Sequence, residues 1–336
     1  MASVWHFVLP ADHDQPSGGN RYNERLMQAL MRTGQPVVAT NFEAYQTARR
    51  ADREGCYFVD SLFVGALATL TEPHSKQLRT VFVLHHLDSI DTPPGHERVM
   101  KQAEEKTAFA HVDAFLVTSS FSESYLQALG VRKPVIVLEP GMDTIGLRQK
   151  PHANETSVLM VANLIARKGI FPWLQTLTNV LKPTDAFTLA IVGRTDLEPV
   201  YAEACQRYVE EQPLLRSRVR FAGAMPYEEV EQYYLRARLF VSAARMETFG
   251  MALQEAKAYR IPLLTLVGGY AERHITASHS GYVFTTLAEM AKFFLNLVRD
   301  PARLESWQTD ITTQPSSAIH SWDSAARRLI KQMTDS

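Results

Sequence analysis

The chain has little cysteine, with two residues in 336. Cys56 and Cys205 lie far apart with no metal-type spacing, so neither a disulfide framework nor a thiolate metal site is expected, and a reduced compartment is the simplest setting. A run of about 18 apolar residues, the length a transmembrane helix needs, is missing. The opening Met1-Ala-Ser-Val-Trp-His lacks the charged-then-apolar layout of a signal peptide. These absences predict a cytoplasmic protein and remain compatible with peripheral contact at the inner face of a membrane. Charge of one sign is also missing: the formal net charge is -1, which argues against a general nucleic-acid binder. Low-complexity tracts and short-period repeats are absent as well. What is present is an ordinary globular composition, 46% hydrophobic and 21% charged, over a length that suits two compact domains each with its own core.

Short apolar, β-rich runs alternate with longer helical patterns throughout. Strands are expected at Val4–Leu9, Val37–Thr40, Tyr57–Asp60, Thr80–His85, Ala114–Thr118 and Val135–Leu138. A second set follows at Ser157–Val161, Phe187–Val192, Arg218–Phe221, Leu239–Ser242, Leu263–Leu266 and Tyr282–Phe284. Helical stretches such as Tyr22–Arg32, Glu97–His111, Ser122–Leu129 and Phe171–Val180 lie between them. Strands that are apolar throughout, separated by helices, indicate parallel sheets covered on both faces. Two such blocks read as two doubly wound α/β domains. The boundary is placed after Glu139-Pro-Gly-Met-Asp143, with the polar stretch Leu147–Thr156 as linker. The tail from His320 is a helix with Trp322, Ala325, Leu329 and Met333 along one side.

Leu239 to Pro262 reads strand, loop, helix. Glu247 is expected at the mouth of the loop and Glu255 about two turns into a helix over Phe249–Tyr259. Eight residues at helical rise separate them by about 12 Å. Glu255 falls on or beside an apolar stripe of Ala252, Ala256 and Tyr259. A carboxylate against a core needs hydrogen-bond donors to offset lost hydration. Ribose hydroxyls would serve; so would solvent or Arg260, and the physics alone weighs the two readings equally.

The stretch Ser242-Ala-Ala-Arg-Met-Glu247-Thr-Phe-Gly250-Met-Ala-Leu-Gln-Glu255-Ala-Lys-Ala resembles the signature of glycosyltransferase family 4, also called glycosyl transferases group 1. That signature is Glu, seven residues, Glu, with Phe-Gly after the first Glu, and it continues here into Pro262 and Gly268-Gly269-Tyr-Ala-Glu272. The resemblance implies the GT-B fold, two Rossmann-like domains facing across a cleft. It places an acceptor domain at 1–145, a nucleotide-sugar donor domain at 146–315, and a terminal helix at 316–336 that crosses back to the first domain.

By the same resemblance Glu247 faces the donor sugar and Glu255 holds the ribose. Phe249, Gly250 and Met251 line the donor site, and Gly268 and Gly269 admit backbone amides close to sugar or phosphate. Val161-Ala-Asn-Leu-Ile-Ala-Arg167-Lys168-Gly169 is similar to the family loop whose basic pair neutralises the leaving diphosphate. Lys168 matches, whereas the family's Arg falls on Asn163, and Arg167 is the substitute cation within the loop. Gly193, in Val192-Gly-Arg194, resembles the strand-end glycine beside the nucleotide. In the first block Gly18 and Gly19 match the family's glycine pair after the first strand, and glycines there allow close approach of phosphate to a helix start. Of His85 and His86, at a strand end where parallel sheets bind ligands, His86 is favoured as the residue near donor sugar and acceptor. The opening His6-Phe-Val-Leu-Pro10 with Gly18-Gly19 resembles a bacterial subgroup.

The function implied is retaining transfer of a hexose-type sugar from a nucleoside diphosphate sugar to an acceptor, without cofactor or bound metal. Asp12-His-Asp14 spells the pattern of metal-dependent transferases of another fold, but sits in the loop after the first strand and reads as a polar loop. Arg49, Arg50 and Arg53 read as a solvated face. A sugar-nucleotide epimerase and a catalytically silent nucleotide-sugar-binding protein are the alternatives.

Overall fold

The computed structural model describes residues 3–71, 77–142, 156–275, 280–313 and 320–334. The proposed boundary at Asp143, most of the linker from Leu147 and the limits at 145 and 315 lie outside them. The chain divides into two compact units: Met1–Gln15 with Gly19–Asp143 and His320–Ser336, and Pro16–Gly18 with Thr144–Ile319.

The first unit holds a six-stranded parallel sheet of β1 (Trp5–Val8), β2 (Val37–Thr40), β3 (Gly55–Asp60), β4 (Leu78–Leu84), β5 (Ala114–Val117) and β6 (Val135–Val137). The spatial order is β2-β1-β3-β4-β5-β6. Its inner strands carry side chains that are buried on both faces, among them Phe7, Phe58, Phe82 and Phe115, all fully buried. Phe7 and Phe58 are register partners and their rings stack at 4.8 Å. That is why these strands read as continuous apolar runs in the sequence. The terminal helix Trp322–Thr334 belongs to this unit. Its Trp322 ring meets Tyr22 edge to face at 5.5 Å, and Asp323 pairs with Arg32 at 2.8 Å.

The second unit repeats the design with β7 (Thr156–Val161), β8 (Phe187–Val192), β9 (Val219–Gly223), β10 (Leu239–Ser242), β11 (Leu263–Leu266) and β12 (Gly281–Phe284). The order is β12-β11-β10-β7-β8-β9. Successive residues feed two different cores: Val158, Met160, Leu239 and Val241 point to a cluster with Trp173 and Phe294, while Leu159 and Phe240 join Tyr234, Leu253 and Tyr259. The helix Leu287–Arg299 that closes one face starts on a capping box, Thr286 with Glu289.

Every strand expected from the apolar runs is found, with ends shifted by at most two residues. In each sheet the connections reverse direction once, between β1 and β3 and between β7 and β10. Open parallel sheets bind ligands beyond the carboxyl ends of the strands at such switch points.

Candidate functional site

In the second unit the segment after β7 is held by its neighbours through backbone contacts. Ala162 N donates to Val192 O at 2.9 Å and Leu164 N to Arg194 O at 2.8 Å, so the chain keeps following β8 past the end of β7. Gly193 makes this approach feasible, since a Cβ there would lie 2.1 Å from Ala162 O. Ala166 N then donates to Glu198 Oε2 at 2.9 Å. At the far end Gly169, with φ +66°, lies so close to the segment after β10 that a Cβ would stand 2.1 Å from Ala243 O. Arg245 N donates to Arg167 O at 3.3 Å. The two loops are thereby clamped together, and Lys168 Nζ reaches Glu247 Oε1 at 2.6 Å with the side chains only 16% and 12% exposed.

Glu247 is fixed from its other side as well. It bridges Gly269, and Tyr270 N donates to its carbonyl at 2.7 Å. Gly268 and Gly269 are needed here because Cβ atoms on them would overlap the carbonyls of Arg245 and Glu247, each at 2.1 Å. The glycine pair thus has a packing role against the Glu247 loop. Phe249 is buried, stacked on Tyr270 at 5.3 Å, and its carbonyl meets His274 Nε2 at 2.6 Å. Gly250, with φ +89°, turns the chain into the helix Met251–Ala258.

That start corrects the expected helix of Phe249–Tyr259: Glu255 is its fifth residue, about one turn in rather than two. The left-handed Gly250 keeps Phe249 out of the helix. Glu255 is 5% exposed, and Tyr234 donates its hydroxyl to Glu255 Oε2 at 2.7 Å. Arg260, weighed as its partner, donates to the Thr312 carbonyl. Ser242, Ala244, Ala252 and Leu253 line a small crevice with Lys168 and Glu247 at the ends of β7 and β10.

Asn163, where an arginine was expected, accepts the Arg194 backbone N–H on its Oδ1 at 3.0 Å, so its side chain acts as a loop brace. The Arg194 guanidinium is buried and paired with Asp196 at 2.8 Å. At the start of the helix Ile170–Thr178, Phe171 N donates to the Tyr201 hydroxyl at 2.9 Å, and Pro172 has no N–H to offer. Burial pushes the Tyr201 phenol up to about 12, so it stays neutral. Lys168 is the cation that the loop sets against Glu247, a short-range arrangement suited to meeting developing negative charge.

Gly18 and Gly19 open the helix Gly18–Arg32, which from Gly19 onward belongs to the first unit. Gly19 faces His85, whose ring a Cβ would meet at 3.1 Å. The favoured His86 instead pairs with Asp91, Nε2 to Oδ2 at 3.1 Å, just beyond the end of β4. His85 is the more enclosed of the two, 13% against 24% exposed. Arg49 corrects the solvated-face reading: it is 4% exposed, donating to the His111 carbonyl, His111 Nδ1 and the Tyr45 hydroxyl. Arg50 and Arg53 are exposed. His13, between Asp12 and Asp14, reaches the Pro10 carbonyl at 3.0 Å. Sequence reasoning missed Tyr234 and the buried Asn23–Asp60 pair, Nδ2 to Oδ2 at 2.6 Å, of which only Asp60, a lone acid ending an apolar strand, carried a signal.

Among the described residues no helix is long and apolar enough to cross a membrane. Residues 147–310 match the model of Glycosyl transferases group 1. The chain is 26% identical over 214 residues to the lipopolysaccharide core biosynthesis mannosyltransferase LpcC of Rhizobium leguminosarum bv. viciae, a match covering 60% of this chain and 58% of that protein. The chain thus spans less than two thirds of this relative's length. In three dimensions it resembles sucrose-phosphate synthase from Thermosynechococcus elongatus, with TM-score 0.77 at 17% identity over 100% of this chain and 99% of the other. It also resembles Anabaena Alr3699/HepE in complex with UDP-glucose, with TM-score 0.75 at 16% identity over 99% and 100%. The fold is that of GT-B glycosyltransferases, built from two Rossmann-like units. The Lys168 loop and the Glu247–Glu255 segment both fall inside the matched range, so the chain carries a Glycosyl transferases group 1 domain.

Proposed function

We propose that this protein is a retaining glycosyltransferase of family 4 that moves a hexose-type sugar from a nucleoside diphosphate sugar to an acceptor. The observation that carries the reading is the Lys168–Glu247 pair at 2.6 Å at the switch point of the second sheet. The mannosyltransferase relative and the UDP-glucose complex of a protein of the same fold support a nucleotide sugar as donor.

In this reading Glu247 orients the donor sugar through its hydroxyls and Glu255, steadied by Tyr234, takes the ribose. As the bond from the anomeric carbon to the diphosphate breaks, negative charge grows on the leaving oxygen. Lys168 stabilises it, with Arg167 and main-chain amides adding to the field. These groups supply the positive charge, and the reaction as proposed requires no metal. The leaving phosphate takes the acceptor's proton, which keeps attack on the front face and the configuration retained. The reaction is placed in the cytoplasm, with peripheral membrane contact where the acceptor is lipid-linked.

The test is product formation from UDP-, GDP- and ADP-sugars by the wild type and Glu247→Ala, alongside thermal shifts. Loss of transfer in a folded Glu247→Ala protein is expected. Unchanged transfer would remove Glu247 from the mechanism. Turnover of a nucleotide sugar to its epimer with no acceptor present would replace transferase by epimerase.

A further inference from the structure

The Tyr234 hydroxyl that reaches Glu255 is itself held by a stack of rings. Tyr234 comes from the helix Tyr227–Arg236 and is fully buried. Tyr259, the residue after the helix Met251–Ala258, lies parallel to it, with ring centroids 5.2 Å apart and 2° between the planes. Phe240, on β10, stacks on it at 6.1 Å and 18°. All three rings belong to one core cluster. Tyr259 is 6% exposed and donates its hydroxyl to Glu231 Oε1 at 2.9 Å, one turn before Tyr234 on the same helix. Burial, with Tyr227 and Glu231 beside it, pushes the Tyr259 phenol up, so it keeps its proton and stays a donor.

The two segments thus exchange hydrogen bonds in both directions, Tyr234 to Glu255 and Tyr259 to Glu231. An apolar side chain at 259 would fill this space without taking a phenol and part of a carboxylate out of water. What the polar pair adds is a fixed direction. Tyr234 has a single proton to give: Glu255 Oε2 at 2.7 Å takes it, and the Ala252 carbonyl at 3.5 Å is a poor rival. Spinning the Tyr234 ring about its own axis leaves the hydroxyl in place. Tilting the ring moves it, and parallel rings packed on it oppose tilting. A carboxylate has about four acceptor sites, so one hydroxyl orients Glu255 without saturating it.

We propose that Tyr259, anchored by Glu231, is a positioning residue: by holding the Tyr234 hydroxyl on Glu255 it sets how strongly the protein prefers a ribonucleotide to a deoxyribonucleotide. The inference rests on Glu255 taking the ribose in the function proposed above, and adds the residues that aim the carboxylate. An immobilised carboxylate is left unpaired when the ribose hydroxyl is missing, and that penalty separates the two nucleotides. A carboxylate that can turn away to water escapes the penalty, and the preference falls.

The experiment is isothermal titration calorimetry of the full-length protein with UDP, GDP and ADP and with the 2′-deoxy and 3′-deoxy forms of each. For the nucleotide that binds, the wild type is expected to prefer the ribose form by at least about tenfold over one of its deoxy forms. Tyr259→Phe keeps the ring and loses the Glu231 anchor, and should lower that ratio. Tyr259→Leu loses both and should bring it below about threefold. In a Tyr234→Phe background Tyr259→Leu should change the ratio by less than about twofold, because it acts through that hydroxyl. A Tyr259→Leu protein that binds every form more weakly at an unchanged ratio has a purely structural tyrosine, which overturns the proposal. If Tyr259→Leu does not fold, an unchanged ratio in Tyr259→Phe overturns it. A wild type that binds ribose and deoxy forms alike instead defeats the placement of Glu255 on the ribose, and one that binds no nucleoside diphosphate defeats the glycosyltransferase reading.

Discussion

Lys168 and Glu247 are 79 residues apart in the chain and 2.6 Å apart in space, with both side chains largely withdrawn from water. Each compensates the other's charge. Replacing Lys168 by alanine removes the positive group nearest the proposed leaving diphosphate, and kcat is expected to fall about 100-fold, read as nucleoside diphosphate release. Arginine does not restore it, because a planar fork cannot reproduce a point charge at this contact. Full activity of Lys168→Arg would show that charge alone matters here. Tyr234→Phe tests a residue one step removed. It deletes the donor to a buried carboxylate, so the thermal midpoint should drop by the equivalent of about 1–3 kcal/mol. If Glu255 holds the ribose, the KM for nucleotide sugar should rise with kcat little changed. A stability loss without any change in KM would leave Tyr234 a purely structural partner. Neither Tyr234 nor Asn23 was legible in the sequence, where each is one more residue of an amphipathic helix. Their partners come from other elements, and composition does not name partners.

At the scale of elements, the strands were legible because a parallel strand covered on both faces must be apolar at every position, as Phe82 and Phe240 illustrate on opposite units. The glutamate motif was legible as a motif. Its contact with the Lys168 loop was not, because it depends on β10 lying beside β7, an adjacency fixed by sheet order and invisible along the chain. Gly169 shows how the contact is built. Its φ of +66° and the 2.1 Å approach to Ala243 O leave no room for a Cβ. Gly169→Ala is expected to cost at least about 1 kcal/mol of stability and to lower transfer, by pushing Lys168 away from Glu247. Wild-type activity at reduced stability would mean that Lys168 finds its position without the clamp. The same logic explains the late start of the predicted helix: Gly250 adopts a conformation that Phe249 could share only at a cost, and the helix starts after it.

For the whole molecule, two units with separate cores need not unfold as one, so a single midpoint is not assumed. Each unit holds an acidic side chain held below its ordinary value. In the first it is Asp60; in the second it is Asp185, which the Arg299 guanidinium grips at 2.7 and 2.9 Å. A carboxyl with a depressed folded value stabilises above the unfolded value, about 3.9, and that contribution is lost as pH falls through the folded value. Glu105 works the other way: burial raises it, so its protonation on mild acidification favours the fold. Scanning calorimetry between pH 7 and 3 should therefore show the second unit's transition falling on the acid side below about pH 4. Asp185→Asn should lower that transition at pH 7 and flatten its acid limb. An unchanged acid limb would show that other groups govern it.

The most direct measurement is a thermal-shift titration of the full-length protein with UDP-, GDP-, ADP- and CMP-sugars, repeated on Lys168→Ala. One nucleoside diphosphate sugar is expected to stabilise the wild type by about 2.7 kcal/mol at a hundred times its Kd. In Lys168→Ala the same concentration should give a much smaller shift. Stabilisation by none of the four in a folded wild-type protein would contradict the assignment of this chain as a nucleotide-sugar-dependent enzyme.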